Sequence, residues 1–248
     1  MSVLRCQQEA ADGSRLPDAV LRPAAANAFE STVEQLATAI RLGVFADGQQ
    51  LPPERDLAER LGVSRMTLRH AIAALRDSDL VTTHRGRGGG TVVTYCGPRI
   101  AEGSTPRVRH GSALTDAMEF RRVVEPGAAW VAATKPLSGD QRTWLTSSAR
   151  QVREAPDAAA HRVADSRLHL AIATLAGSPM LIDAVTRAQA ALHELLTAIP
   201  VLTRNIAHSN EQHDAVVDAV LVGDADRARS AMEEHCDATS ALLRGLIG

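Results

Sequence analysis

Aromatic side chains make up only 2% of this 248-residue chain. Its cores must therefore be built from Ala, Leu, Val and Ile, and Ala- and Leu-rich sequence with charged faces favours helices over strands. Lysine is nearly absent: Lys135 stands alone against 26 arginines. Cysteine is limited to Cys6, Cys96 and Cys236, a scattered and odd set that makes no disulfide framework and fits a reducing compartment. The first residues lack an apolar secretory core, and no stretch reaches the ~18 uninterrupted apolar residues of a membrane span. The expectation is a cytoplasmic protein with no membrane segment. A net charge of −2 excludes a wholly basic coat. It leaves room for a local basic surface, which is all that docking on phosphate requires.

What is present divides the chain into two modest domains. Residues 1–25 are polar, carry Pro17 and Pro23, lack periodicity and read as a mobile tail. Val33, Leu36, Ala37 and Ile40 then recur at helical spacing, and Gly43 with "ADGQQLPP" ends that helix. A second helix follows Pro52-Pro53, buries Leu57, Ala58 and Leu61, and stops at Gly62. Ser64 can cap a third, whose buried face is Leu68, Ala71, Ile72 and Leu75. Residues 81–83 and 91–93 read as the strands of a hairpin. The Gly- and Pro-rich stretch 95–113 is a linker. Six helices are expected after it, near 114–134, 138–155, 157–176, 179–199, 204–222 and 224–247, with Pro126-Gly127 kinking or splitting the first. The fold class is mainly α: a winged helix-turn-helix over 26–94 (three helices plus a β-hairpin), joined to an all-α six-helix antiparallel bundle over 114–248.

The stretch "LGVSRMTLRHAIAALRDSDLVTTHRGRGGGTVV" holds the first concentration of chemistry. Arg65 and Arg69 fall on one helical face, about 6 Å apart. At a helix N-terminus, two guanidinium groups can enter a major groove and read guanine O6 and N7. Ser64 and Thr67 can offer hydroxyls to phosphate oxygens. Glycines at the hairpin tip allow close backbone approach, with Arg85 and Arg87 set on phosphates or in the minor groove. The plainer reading is a solvated charged face and a flexible turn. A phosphate-cradling nucleotide loop is excluded, because "GRGGG" precedes a strand and no Lys-Ser/Thr opens a helix.

"LPPERDLAERLGVSRMTLRHAIAALRDSDLVTTHRGRGGGTVV" resembles the DNA-binding domain of the GntR family of bacterial transcription regulators, with its "GVSR" turn and "RGRG" wing. The resemblance implies DNA contacts by Arg55, Ser64, Arg65, Thr67 and Arg69, with Arg85 and Gly86 in the wing beside Arg87. Met66, His70 and Asp79 depart from the common pattern; the first two bear on operator preference. Asp79, where glycine is common, needs a conformation that Asp tolerates better than most residues.

In the second half, Asp165 and His169 are one helical turn apart, and His213 and His235 fall on later helices. A carboxylate and imidazoles converging inside a bundle make a divalent metal site. The bland alternative is chance: Asp157 and His161 repeat the same spacing, and His161, Asp165 and His169 form one stripe. "EFRRVVEPGAAWVAA", "ADSRLHLAIATLAGSPML" and "EQHDAVVDAVLVGDADRARSAMEEHC" are similar to the FCD ligand-binding domain of the FadR-like branch, of the shorter, VanR-like subtype. That resemblance implies Asp165, His169, His213 and His235 as ligands of Zn, Ni, Mn or Fe. It also places Arg121 opposite an effector carboxylate; the plain alternative for Arg121 is an ion pair with Glu125. Ser178 and Leu168 stand where asparagine and phenylalanine are common, which bears on pocket shape.

These features predict a homodimeric transcription regulator that binds double-stranded operator DNA under control of a small organic acid held at the metal site. A direct divalent-metal sensor is the alternative. A metalloenzyme fused to a DNA-binding domain is disfavoured, since neither a His-Glu-x-x-His run nor a nucleophile motif occurs.

Overall fold

The computed structural model describes residues 28–84, 86, 89–95, 112–196 and 203–247. The predicted tail, most of the linker, Arg85 and Arg87 lie outside the described residues. The element order is α1 (Ala28–Arg41), α2 (Glu54–Leu61), α3 (Arg65–Asp77), β1 (Val81–His84), β2 (Gly90–Val93), α4 (Ser112–Ala133), α5 (Gly139–Arg153), α6 (Ala158–Ala176), α7 (Pro179–Leu196), α8 (Thr203–Val222) and α9 (Ala225–Ile247). The chain is mainly α, with a winged helix-turn-helix followed by a helical bundle.

In the first unit, local sequence sets each boundary. Gly62 ends α2 in the left-handed region at φ 64°, which glycine reaches without a Cβ penalty. Two residues later Ser64 caps α3, its hydroxyl accepting from the Thr67 amide. Leu36, Ile40, Leu57, Leu68, Ile72 and Leu75 close into one core beneath the hairpin. β1 and β2 pair antiparallel, Val81 opposite Val93 and His84 opposite Gly90. Asp79 takes φ 57°, the one positive φ of a non-glycine among the described residues, as expected for that position. The loop before α2 does more than end α1. Its backbone adds a third edge to the hairpin, with Leu51 N–H donating to Thr91 O and Val93 N–H to Gln49 O.

The bundle is centred on α4, which packs against α6, α7, α8 and α9, while α5 covers α6 and α8. Ala129, Ala132, Leu145, Leu168, Ile172, Val216 and Met232 form its largest core cluster. Small alanines let the helices approach closely, so the interior fills without aromatic rings. Ser138 and Gln141 make a reciprocal capping box at the start of α5. Asp157 caps α6 by accepting from the Ala160 amide.

α4 begins at Ser112, close to the expected start, and runs as one helix through Pro126, so the expected split does not occur. A proline inside a helix removes a hydrogen bond and costs ~3 kcal/mol. The four helices packed around α4 override that local preference. No helix among the described residues is long and apolar enough to cross a membrane.

Candidate nucleic-acid interface and metal centre

The first set of predicted residues is gathered at the N-terminal end of α3. Arg65, Met66, Arg69 and His70 are exposed there, while Leu68, Ala71 and Ile72 face inward. Ser64 and Thr67 share a hydrogen bond of 2.8 Å between their hydroxyls, which fixes both beside the helix start. Arg69 is not isolated: its Nε donates to Glu54 Oε2 at 2.8 Å, tying α3 to α2. Both partners are substantially solvent-exposed, so the pair is worth ~1 kcal/mol or less. Arg55 is exposed and paired with Asp56 at 3.1 Å. Gly86, at the hairpin tip, is exposed with φ 111°, a backbone that side chains rarely adopt. The arrangement presents hydroxyls and guanidinium groups around one exposed helix N-terminus, a geometry suited to phosphate and base edges.

The second set lies inside the bundle. One ligand atom from each of Asp165, His169, His213 and His235 falls within 4.8 Å of the others. α6 supplies Asp165 and His169, α8 supplies His213 and α9 supplies His235. The three imidazoles are 2–3% exposed, with ring centroids 4.5 to 5.4 Å apart. Nε2 of His213 is 3.2 Å from Asp165 Oδ1, and Nε2 of His169 is 3.9 Å from Oδ2. His235 turns Nδ1 to Gln212 Oε1 at 3.3 Å, leaving Nε2 buried without a hydrogen-bond partner among the described residues.

Electrostatics put Asp165, His213 and His235 in the form a cation needs. Burial pushes the His213 pKa down despite its contact with Asp165. Burial, together with the neighbouring His213 and Arg121, pushes that of His235 well below the ordinary value. Burial alone would raise Asp165, but the contact with His213 and the charges of the surrounding histidines hold it well below the usual carboxylate range. Neutral imidazoles and an ionised carboxylate are the ligating forms of these groups, and the donor set fits a divalent ion.

Behind the Asp165–His169–His213–His235 cluster lies a second layer for which the sequence carries little signal. Glu125 is 2% exposed and shared by several partners. Its Oε2 accepts from Arg121 Nε at 3.0 Å and lies 2.9 Å from His169 Nδ1, while Oε1 accepts from Gln189 Nε2 at 2.6 Å. Burial opposes ionisation of Glu125, yet Arg121 and His169 outweigh it and bring the pKa down to about 2. A carboxylate behind a ligating imidazole fixes the ring and its tautomer. Cys236 is a poor ligand candidate: burial pushes its thiol up to about 12, and Sγ points to Glu125 at 3.7 Å. The Arg121–Glu125 pair expected as the plain alternative is present. Arg121 nevertheless keeps Nη1 and Nη2 buried without hydrogen-bond partners among the described residues. The other Asp/His pair separates: Asp157 is a helix cap, and His161 Nε2 lies 3.4 Å from Asn210 Oδ1. The spacing of Arg121 and Glu125 was a readable signal; Gln189, on another helix, had none.

The geometry can now be set beside known proteins. Residues 29–93 match the bacterial regulatory proteins of the gntR family, and residues 116–238 match the FCD domain. The chain belongs to the GntR family. A relative from Escherichia coli K12, whose name assigns it to regulation of an L-lactate dehydrogenase operon, is 32% identical over 76% of this chain and 75% of its own length. The HTH-type transcriptional repressor NanR of Escherichia coli is 28% identical over 86% of this chain and 82% of its own. Among solved structures, Escherichia coli McbR/YncC superposes with a TM-score of 0.51 at 18% identity, covering 89% of this chain and 99% of that one. That likeness concerns the fold alone. This GntR-family protein is thus a DNA-binding transcription regulator with a C-terminal effector-binding FCD domain.

Proposed function

We propose that this GntR regulator binds operator DNA as a homodimer and that a small carboxylate, held at a divalent metal in the FCD domain, sets its operator affinity. The observation that carries the reading is the set of buried polar atoms with no partner. Nε2 of His235, both ring nitrogens of His213, and Nη1 and Nη2 of Arg121 lack hydrogen bonds among the described residues. Buried polar groups are otherwise almost always satisfied, so a cluster of orphans calls for a ligand. Asp165, His169, His213 and His235 hold Zn, Ni, Mn or Fe, and the ion supplies a Lewis-acidic position for a carboxylate oxygen. Arg121, with Nε occupied by Glu125, turns its two free amino groups to that carboxylate in the fork geometry guanidinium favours.

On the DNA side, Arg65 and Arg69 read base edges, and Ser64, Thr67 and Arg55 take phosphates. Arg85, Gly86 and Arg87 form the wing. Two copies reading two half-sites supply the contact area that one small module lacks. We assign residues 26–94 to the DNA-binding domain, 95–113 to the linker and 114–248 to the effector domain. Six bundle helices fit the VanR-like subtype, and a cytoplasmic location suits a chromosomal target.

A direct metal sensor is favoured by one feature: the ligand histidines are almost wholly buried, so the ion alone could complete the cluster. A thermal-shift screen of mono- and dicarboxylates against metal-loaded and metal-free protein tests both. Stabilisation by an acid only in the loaded protein supports the proposal. Stabilisation by metal with indifference to every acid supports the sensor.

A further inference from the structure

α6 supplies Asp165 and His169 to the orphan cluster, α7 supplies Gln189 behind it, and both helices meet the first unit. On α6, Asp165 and His169 belong to the cluster, while Val163 and Arg167, two residues out of phase, lie on the opposite side of the helix. That opposite side meets Gly43, just past α1: a Cβ added at Gly43 would stand 2.2 Å from Val163 Cγ1 and 3.3 Å from Arg167 Cδ. Gly43 also has φ 70°, so the close approach and the turn both require glycine. On α7, Gln189 is completely buried and donates to Glu125. His193, one turn later, is 5% exposed, and its Nε2 lies 3.3 Å from Tyr95 Oη. Tyr95 follows β2 and packs on the first unit's core. Thr38, Arg41 and Leu42 line one cavity with Ala190, His193 and Glu194.

We propose that α7 couples the FCD site to the DNA-binding module, with Gln189 registering the state of Glu125 and His193 passing it to Tyr95 and the end of α1. The inference rests on reading the cluster as a metal and effector site. Glu125 is the shared element. His169 Nδ1 faces Glu125 Oε2, so with its other ring nitrogen engaged by a cation His169 would hold its proton toward Glu125, and Arg121 would shift its guanidinium group toward a bound carboxylate. Either event alters the geometry around Glu125. Gln189 follows, because its Oε1 has no hydrogen-bond partner among the described residues and the bond to Glu125 is what anchors its amide. Residues 189 and 193 share a helical face, so a shift at one is carried rigidly to the other. Burial and the nearby Arg41 and Arg162 push the His193 pKa down, and its Nε2 shares a hydrogen bond of 3.3 Å with the Tyr95 hydroxyl.

Hydrogen–deuterium exchange on the full chain, with Zn2+ as the probe, tests the path. Elemental analysis confirms loading in each variant. In the wild type, zinc should slow exchange in α7 and also in the segment 38–45, by about fivefold or more at the low end of ordinary coupling strengths. In Tyr95→Phe, zinc binding and the α7 response should persist while the response of 38–45 disappears. Gln189→Met should bind zinc and lose both responses; if that variant fails to fold, Tyr95→Phe decides alone. A 38–45 response unchanged in Tyr95→Phe, or missing in zinc-loaded wild type, overturns the coupling. Failure of the wild type to bind any of zinc, nickel, manganese or iron overturns the metal reading itself, a distinguishable result.

Discussion

Arg65 and Arg69 project from α3 into solvent, whereas His169, His213 and His235 are folded into the interior of a bundle. The first pair can be exchanged without disturbing a core. The second set occupies the space where apolar side chains would otherwise sit, and the imidazoles, Arg121 and Glu125 must be satisfied there together. An exposed polar surface is thus nearly independent of its fold, while a buried polar cluster is part of the fold. Burial also explains why the second layer around Glu125 is so connected: each polar group placed there needs a partner, and that partner needs another.

This contrast can be broken or sharpened by experiment. The largest effect is expected from His213→Ala combined with His235→Ala, which removes two of four ligands; metal content by elemental analysis should fall from stoichiometric to none. Retained metal would move the site elsewhere. Next, Glu125→Gln leaves the Arg121 guanidinium buried beside a neutral group, and urea unfolding should register a loss of about 3–5 kcal/mol. A change under 1 kcal/mol would mean that water reaches Arg121. Arg65→Ala should behave in the opposite manner: specific operator binding weakens by ~1–3 kcal/mol, while folding stability stays within about 0.5 kcal/mol. A marked loss of stability would show that α3 is not the independent surface described. The smallest effect is a pH dependence of the metal-free protein. His213 and His235 are held below the ordinary 6.5, so the unfolded chain binds more protons than the folded one as pH drops past that value. Stability should be full above pH 6.5 and decline below it, with the thermal midpoint as the readout. A flat midpoint through that range would mean these histidines are solvated.

Much of this molecule was legible before any coordinates. Gly62 and Ser64 announce the helix-turn-helix because their chemistry is local: one ends a helix and the other starts the next. Asp165 and His169 were readable as one face of one helix. Pro126 does not split its helix, because its local preference is outweighed by packing from four neighbouring helices. The third edge of the hairpin, at Gln49–Leu51, went unread because its partners lie some forty residues on and no turn links them directly.

Periodicity, capping residues and short motifs, which act within a turn or two of chain, were enough to determine the helices, the winged module and the family. Only the tertiary structure decided which polar residues meet. It brought Gln189 to Glu125, left the Arg121 amino groups buried without partners, and set His193 against Tyr95. Those contacts join residues 64 to 98 positions apart in sequence, where helix packing sets the distances and local spacing carries no information about them.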